Sequence, residues 1–364
     1  MTEQERLDGR ATIADVAARA GVSIATVSRV VNRRYGVASG TARRVQAAID
    51  ELGYESNLVA RSMRSQRTQV IGVLVSGVEP FSAELLKGAA DELDRAGYAL
   101  MVYSGGRRNE AGWEQRYLSG ISSVLADGTI LVAPTVADVE SPHPVVAVDP
   151  NVGGMNIPTI AAENFAGARQ AVEHLLALGH RRIGLVAGRR DLESARRREA
   201  GYREALERAG IDVDPSLIEV GEFQEDTAAR AARTLLDRPD RPTAIFAAND
   251  LSAIEVIRVA GELGLRVPAD LSVVGFDNIP ESALCDPPIT TVDQSIQELG
   301  RMAVRSLVAM LRASDEAADG AADGAADEPV EVAPADGGRA EPAHVELPTR
   351  LVVRRSSGPA PGTA

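Results

Sequence analysis

Several polar side chains stand immediately after short apolar runs, where a bound molecule could meet them. Asp149 follows VVAV (145–148), Asn249 and Asp250 follow AIFAA (244–248), and Asp277 follows SVVGF (272–276). Arg196 falls near the start of the helical pattern after IGLVAG, and Phe81 lies in the loop after VIGVLV (70–75). Carboxylate, amide and guanidinium groups together accept from and donate to neighbouring hydroxyls, which is the chemistry of holding a polyol. The same polar positions also suit helix capping. The sequence has no GxGxxG after a strand, no Walker loop, no HExxH and no GxSxG. Dinucleotide, phosphate, metal and acyl-transfer signatures are therefore missing, and neither an enzyme nor a cofactor or metal site is expected.

A second set of candidates lies near the amino terminus. Thr12 can cap a helix with Ile13, Val16, Ala17 and Ala20 at helical spacing, and Gly21 breaks it. Ser23 caps a second helix whose Val27, Val30 and Val31 share one side, leaving Ile24, Ala25 and Arg29 on the other. A third spans about Ser39 to Leu52. In a major groove Arg29 would donate bidentately to guanine, while Ile24 and Ala25 would contact thymine methyls or exclude other bases. Thr12, Ser23, Thr26, Ser28, Asn32 and Thr41 supply small donors suited to phosphates, and Thr12 and Ser23 serve equally well as caps.

Charge supports this division of labour. The whole chain of 364 residues carries a net charge of −13. Residues 1–67 hold eleven Arg against seven Asp and Glu, net +4, so the other 297 residues carry −17. A basic end on an acidic body is the footprint of a protein that meets phosphates with one end.

From Val70 onward apolar runs at 70–75, 98–103, 129–133, 145–148, 183–187, 244–248 and 272–276 alternate with helical patterns at about 82–96, 164–178, 194–209, 226–237, 251–263 and 296–312. Such alternation predicts two α/β units of parallel sheet flanked by helices. Residues 313–343, with an AADG-like repeat, three prolines and nine acids against one Arg, are expected to be a disordered acidic insert before a strand from His344 to Val353. His180 ends a helix, which suggests a cap or turn contact. Cys285 stands alone, so no intrachain disulfide can form. The polar start lacks the features of a secretory signal, and no apolar run approaches the ~20 residues of a membrane span, so a cytoplasmic protein is expected.

The segments TIADVAARAGVSIATVSRVVN and RVQAAIDELGYESNLVARSM resemble the head of the lactose repressor (LacI/GalR) family of transcriptional regulators, and EHLLALGHRRIGLVAG, FAANDLSA and SVVGFDNIPESALCDPPITTVDQS follow in that family's order. The resemblance implies a small all-α helix-turn-helix head (1–54), a hinge helix or linker (55–69) and a two-lobed α/β body of the periplasmic-binding-protein type. Its N-terminal lobe would be 70–160 with 294–312 and its C-terminal lobe 161–293 with 344–355, leaving 313–343 and 356–364 disordered. It further implies a cytoplasmic, nucleoid-associated homodimer on a pseudo-palindromic operator, repressing transcription until a small effector, expected to be a sugar, enters the cleft. Purine- and protein-corepressor-dependent relatives leave the effector open. By the same resemblance Arg196, Asn249 and Asp277 contact the effector, Phe223 lays a ring against it, and Asn57, Val59, Ala60 and Met63 form the minor-groove hinge. Met63 stands where the family uses a leucine wedge, and Ser56 where it uses proline.

Overall fold

A computed structural model describes residues 11–31, 37–52, 67–105, 112–323 and 343–362, grouped into two compact units, 1–68 and 69–364. The first unit contains α1 (Ile13–Ala20), α2 (Ile24–Val31) and α3 (Ser39–Leu52). Val16, Ala17, Ala20, Val27, Val45 and Ala48 are buried together and form its small core. The helical spacing of these residues is what brings the three helices into contact. Arg19 of α1 pairs with Glu51 of α3 at 2.6 Å across the surface of this bundle.

The second unit carries two six-stranded sheets. In chain order its elements are β1 (Val70–Val75), α4 (Pro80–Ala96), β2 (Ala99–Ser104), α5 (Trp113–Leu125), β3 (Gly128–Val132), β4 (Val145–Val148), β5 (Thr159–Ala162), α6 (Asn164–Ala177), β6 (Ile183–Ala187), α7 (Glu193–Arg208), β7 (Ile218–Val220), α8 (Glu225–Leu236), β8 (Ala244–Ala247), α9 (Asp250–Glu262), β9 (Ser272–Asp277), α10 (Pro280–Leu284), β10 (Thr290–Asp293), α11 (Ile296–Asp323), β11 (His344–Leu347) and β12 (Arg350–Val352). The first sheet runs β11-β5-β4-β3-β1-β2 and the second β12-β10-β9-β8-β6-β7. Every pairing is parallel except β10 with β12.

Continuous apolar strands such as VIGVLV and IGLVA are buried throughout because helices cover both faces of each sheet. In the first lobe α4 and α11 pack on one face, and Trp113 and Leu118 of α5 on the other. In the second, α6 and α7 cover one face and α8 and α9 the other. The chain crosses between lobes after β5, after β10 and between β11 and β12.

Four features depart from or add to the sequence reading. The run His344–Val353 is two strands rather than one, and β11 joins the first lobe's sheet while β12 joins the second's. Leu347 and Arg350 bracket a crossover, which a single apolar pattern does not reveal. Helix α11 continues to Asp323, eleven residues into the stretch expected to be disordered, because the alanines of the AADG repeat, the strongest helix formers, extend an already formed helix without needing a core. Residues 324–342 lie outside the described residues. The tail is packed as far as Ala360: Ser356 is fully buried and donates to the Val273 carbonyl at 2.6 Å, and the Ala360 amide donates to the Leu178 carbonyl. His180 makes the expected turn contact, its amide donating to the Leu175 carbonyl at 3.2 Å, but its fully buried ring is also a junction, with Nδ1 on Thr243 Oγ1 at 2.9 Å and Nε2 facing the Gly358 carbonyl at 3.0 Å.

Candidate DNA-reading helix and ligand cleft

The cap of α1 is a reciprocal box. Thr12 Oγ1 accepts from the Asp15 amide at 3.3 Å, and Asp15 Oδ2 accepts from the Thr12 amide at 2.8 Å and hydroxyl at 2.6 Å. Gly21 at φ +65° then turns the chain, a conformation glycine adopts without a Cβ penalty. Ser23 Oγ accepts from the Thr26 amide at 3.2 Å and opens α2. Val27 is the fully buried anchor of α2, with Val30 and Val31 half-buried.

Ile24, 48% exposed, flanks this buried face, and Ala25 and Arg29 are exposed on the opposite one. Arg29 makes no hydrogen bond or ion pair among the described residues. A bare isoleucine beside a guanidinium without a partner suits a foreign surface better than a fold. Thr26, Ser28 and Thr41 are half-buried at the same unit's surface, while Thr12 and Ser23 are already engaged as caps. Asn32 and the expected hinge positions Asn57, Val59, Ala60 and Met63 lie outside the described residues, as does Ser56.

Between the two lobes of the second unit lies a cavity of about 430 Å³. Phe81, Asp149, Phe223, Asn249 and Asp277, all expected at a ligand site, line it. They arrive at the carboxyl ends of parallel strands, where α/β folds open their clefts. Phe81 and Trp113 come from the first lobe and Phe223 from the second. The Phe223 ring lies directly over Gly188, where a Cβ would meet the ring at 2.2 Å. Five lining residues have left-handed backbones: Ala133 (φ 50°), Asp149 (47°), Glu222 (56°), Phe223 (60°) and Asp277 (112°). Strain of this kind costs on the order of 1–3 kcal/mol per residue and concentrates at sites where side chains must be aimed.

Arg196 is not among the lining residues. Its guanidinium pairs with Glu193 at 2.7 Å on the exposed side of α7 and donates to the Asp191 carbonyl at 2.9 Å. Of the three consecutive arginines, Arg198, two residues further on and 3% exposed, is the one that lines the cleft. Helical spacing could have found it, because Ala195, Arg198, Tyr202 and Ala205 form the buried stripe of α7 and Arg196 falls outside it.

Arg198 is fixed from all sides. Its Nε donates to Asn164 Oδ1 at 2.8 Å, and Nη1 donates to the Ala248 carbonyl at 2.5 Å and to Asp277 Oδ1 at 3.2 Å. The guanidinium stacks 3.8 Å from the Phe276 ring centroid. Nη2 has no hydrogen-bond partner among the described residues. Gln294 donates to the same Asp277 oxygen at 2.6 Å.

Burial pushes the Asp277 carboxyl up to about 7, with Arg198 opposing the rise. Burial likewise raises Asp149, which Arg198 and the Asn164 amide partly offset. Asn249 caps α9 through Oδ1, which accepts from the Ser252 amide at 3.0 Å, and its amide NH2 makes no hydrogen bond among the described residues. Capping and ligand contact are thus compatible in one side chain. Asp250 does not line the cleft. It is fully buried and holds the Ile279 amide at 2.9 Å and the Thr291 hydroxyl at 2.5 Å. Cys285, half-buried at the end of α10, forms no disulfide. Among the described residues no cluster of potential metal ligands occurs and no helix is long and apolar enough to cross a membrane.

A helix-turn-helix in one unit and a polar, preorganised cleft in the other define a ligand-binding, DNA-binding regulator. Comparison with known proteins agrees. Residues 12–57 match the family of bacterial regulatory proteins of the lacI type, and residues 172–357 match the periplasmic binding protein-like domain. The transcriptional repressor CytR of Escherichia coli K12 is 34% identical over 83% of this chain and 90% of its own length, and the repressor PurR of Haemophilus influenzae is 34% identical over 84% and 93%. Among solved structures, the lac repressor dimer bound to operator and the anti-inducer ONPF aligns at TM-score 0.77 and 29% identity over 96% of this chain and 99% of its own. The regulator CelR in complex with cellobiose aligns at 0.66 and 32%, over 95% and 100%. The chain belongs to the LacI family of bacterial transcriptional regulators: a repressor with a DNA-binding head and a ligand-binding body, and not an enzyme.

Proposed function

We propose that this repressor acts as a homodimer on a pseudo-palindromic operator and is released when a carbohydrate binds between its lobes. Ile24, Ala25 and Arg29 read base edges; Thr26, Ser28, Asn32 and Thr41, with Thr12 and Ser23 in part, position the phosphates. Asn57, Val59, Ala60 and Met63 reach the minor groove, Met63 as the apolar wedge. In the cleft Arg198, Asn249 and Asp277 hold hydroxyls, Asp149 adds a further acceptor, and Phe81 and Phe223 lie against the faces of the sugar ring. Repression in the cytoplasm follows from the role at the operator.

The observation that carries the reading is the cleft chemistry: a fixed guanidinium, an amide with unused donors and buried carboxyls, between aromatic side chains from both lobes. Closing the lobes on a ligand biases the lobe angle, and coupling to the DNA of about 1–3 kcal/mol would suffice for regulation. The repressor PurR among the relatives keeps a purine- or protein-corepressor-dependent regulator as the second reading, since flat aromatic walls also suit a base. A thermal-shift screen of mono- and oligosaccharides beside purines and nucleosides decides between them. The carbohydrate reading expects stabilisation by a saccharide; stabilisation by purines alone would overturn it.

A further inference from the structure

We infer, building on the carbohydrate reading, that the effector is an unphosphorylated saccharide of at least two rings, whose outer ring sits in a groove beside the cleft. Five carboxylates, Glu79, Asp149, Asp191, Glu222 and Asp277, line the main cavity against two guanidiniums, those of Arg189 and Arg198. Both cations are already paired. Asp191 holds Arg189 through its Nε at 3.1 Å and its Nη2 at 2.5 Å, and Asp277 holds Arg198. A phosphate or carboxylate entering this cleft would meet more acid groups than guanidiniums, with the charges of both guanidiniums already balanced by Asp191 and Asp277 even though Arg198 Nη2 keeps an open donor, and the net repulsion discriminates against an anion in a partly desolvated site. A neutral ligand rich in hydroxyl donors meets acceptors instead.

The main cavity does not end at its aromatic walls. Arg189, Asp191 and Glu222 also line a second, more open groove of about 630 Å³, completed by Arg190 and Val220. It lies where the loops after β6 and β7 leave their paired strands, Ala187 beside Val220. The inner cavity contains Phe81, Trp113 and Phe223, whereas the outer groove has no aromatic residue and is lined by charged groups with Val220. A ligand filling both must be polar along its length, with a ring face for the inner part and exposed hydroxyls for the outer. Glu222 and Asp191 accept from those hydroxyls and Arg190 donates to them.

The test is isothermal titration of the full-length dimer or monomer with glucose, cellobiose, maltose and glucose 6-phosphate, for the wild type and for Arg190→Ala, which alters the outer groove alone. Cellobiose or maltose is expected to bind at least about tenfold more tightly than glucose, and Arg190→Ala to remove about tenfold from the disaccharide while leaving glucose unchanged. Glucose 6-phosphate is expected not to compete. Equal affinity for one and two rings, an equal loss for both in the variant, or preferential binding of the phosphorylated sugar would overturn the inference while leaving the carbohydrate reading intact. Failure of every saccharide, with stabilisation by a purine, would instead remove the carbohydrate reading and this inference with it.

Discussion

In the proposed function Arg29 and Arg198 each meet a partner, yet the two units present them in opposite ways. Arg29 stands exposed on α2 without a partner among the described residues, whereas Arg198 is 3% exposed and held by Asn164, Ala248, Asp277 and the ring of Phe276. The difference fits what each would recognise in the proposed function. A base edge in a groove supplies its own geometry and desolvation, so the reading side chain can remain flexible until binding. A small ligand brings few contacts, so its partners must be ordered beforehand or the ordering entropy consumes the affinity.

That contrast can be broken by mutation. Arg198→Ala should have the largest effect, because it strands Asp277 in a buried site: a stability loss on the order of 3 kcal/mol is expected, read as a lower melting temperature together with loss of ligand-induced stabilisation. If the variant melted like the wild type, the network would not be holding the cleft. Arg29→Ala should leave the melting temperature and ligand binding untouched but reduce discrimination between operator and random DNA by about 1–3 kcal/mol per half-site, measured by fluorescence anisotropy at fixed salt. A uniform loss on both DNAs would make Arg29 a phosphate contact.

A smaller effect sharpens the comparison from the side of protons. Burial lifts Asp277 to about 7, so between roughly pH 4 and 7 the folded body retains a proton that the unfolded chain has released. That contribution to stability is complete below the unfolded value and disappears as pH rises through about 7. Asp277→Asn removes it, so the melting temperature of the wild type relative to the variant should climb by a few degrees as pH falls from 8 to 5.5. A pH-independent difference would show that Asp277 stays ionised against Arg198. Smallest of all, Arg196→Ala breaks only an exposed pair with Glu193 and should change stability by less than about 1 kcal/mol, with ligand binding intact. Loss of ligand response in that variant would reinstate Arg196 at the site.

The two regions also differ in how much of them could be read from sequence. The three head helices follow from caps and spacing alone, since Thr12, Gly21, Ser23 and the buried Val16, Val27 and Val45 are all local signals. In the body, the strand-end rule located Asp149, Asn249 and Asp277, because parallel sheets place their loops on one side. Arg196, expected there from the resemblance, does not line the cleft while Arg198 does, since three consecutive arginines at 196–198 are equivalent in composition and only the helical stripe separates them. Trp113, Arg189 and Glu222 escaped because their roles depend on which loops the two sheets bring together. The split at Leu347–Arg350 and the packed tail were likewise settled by partners distant in sequence, Thr159–Ala162 for β11 and Val273 and His180 for the tail.

The central claim is that a ligand held in the body's cleft releases the head from DNA. It is tested most directly by titrating the saccharide that most raises the melting temperature into wild-type protein bound to a labelled operator, following anisotropy at constant ionic strength. The account predicts that the bound fraction falls with a midpoint near the ligand's own dissociation constant. An operator complex that is unchanged, or tightened, at saturating ligand would contradict it.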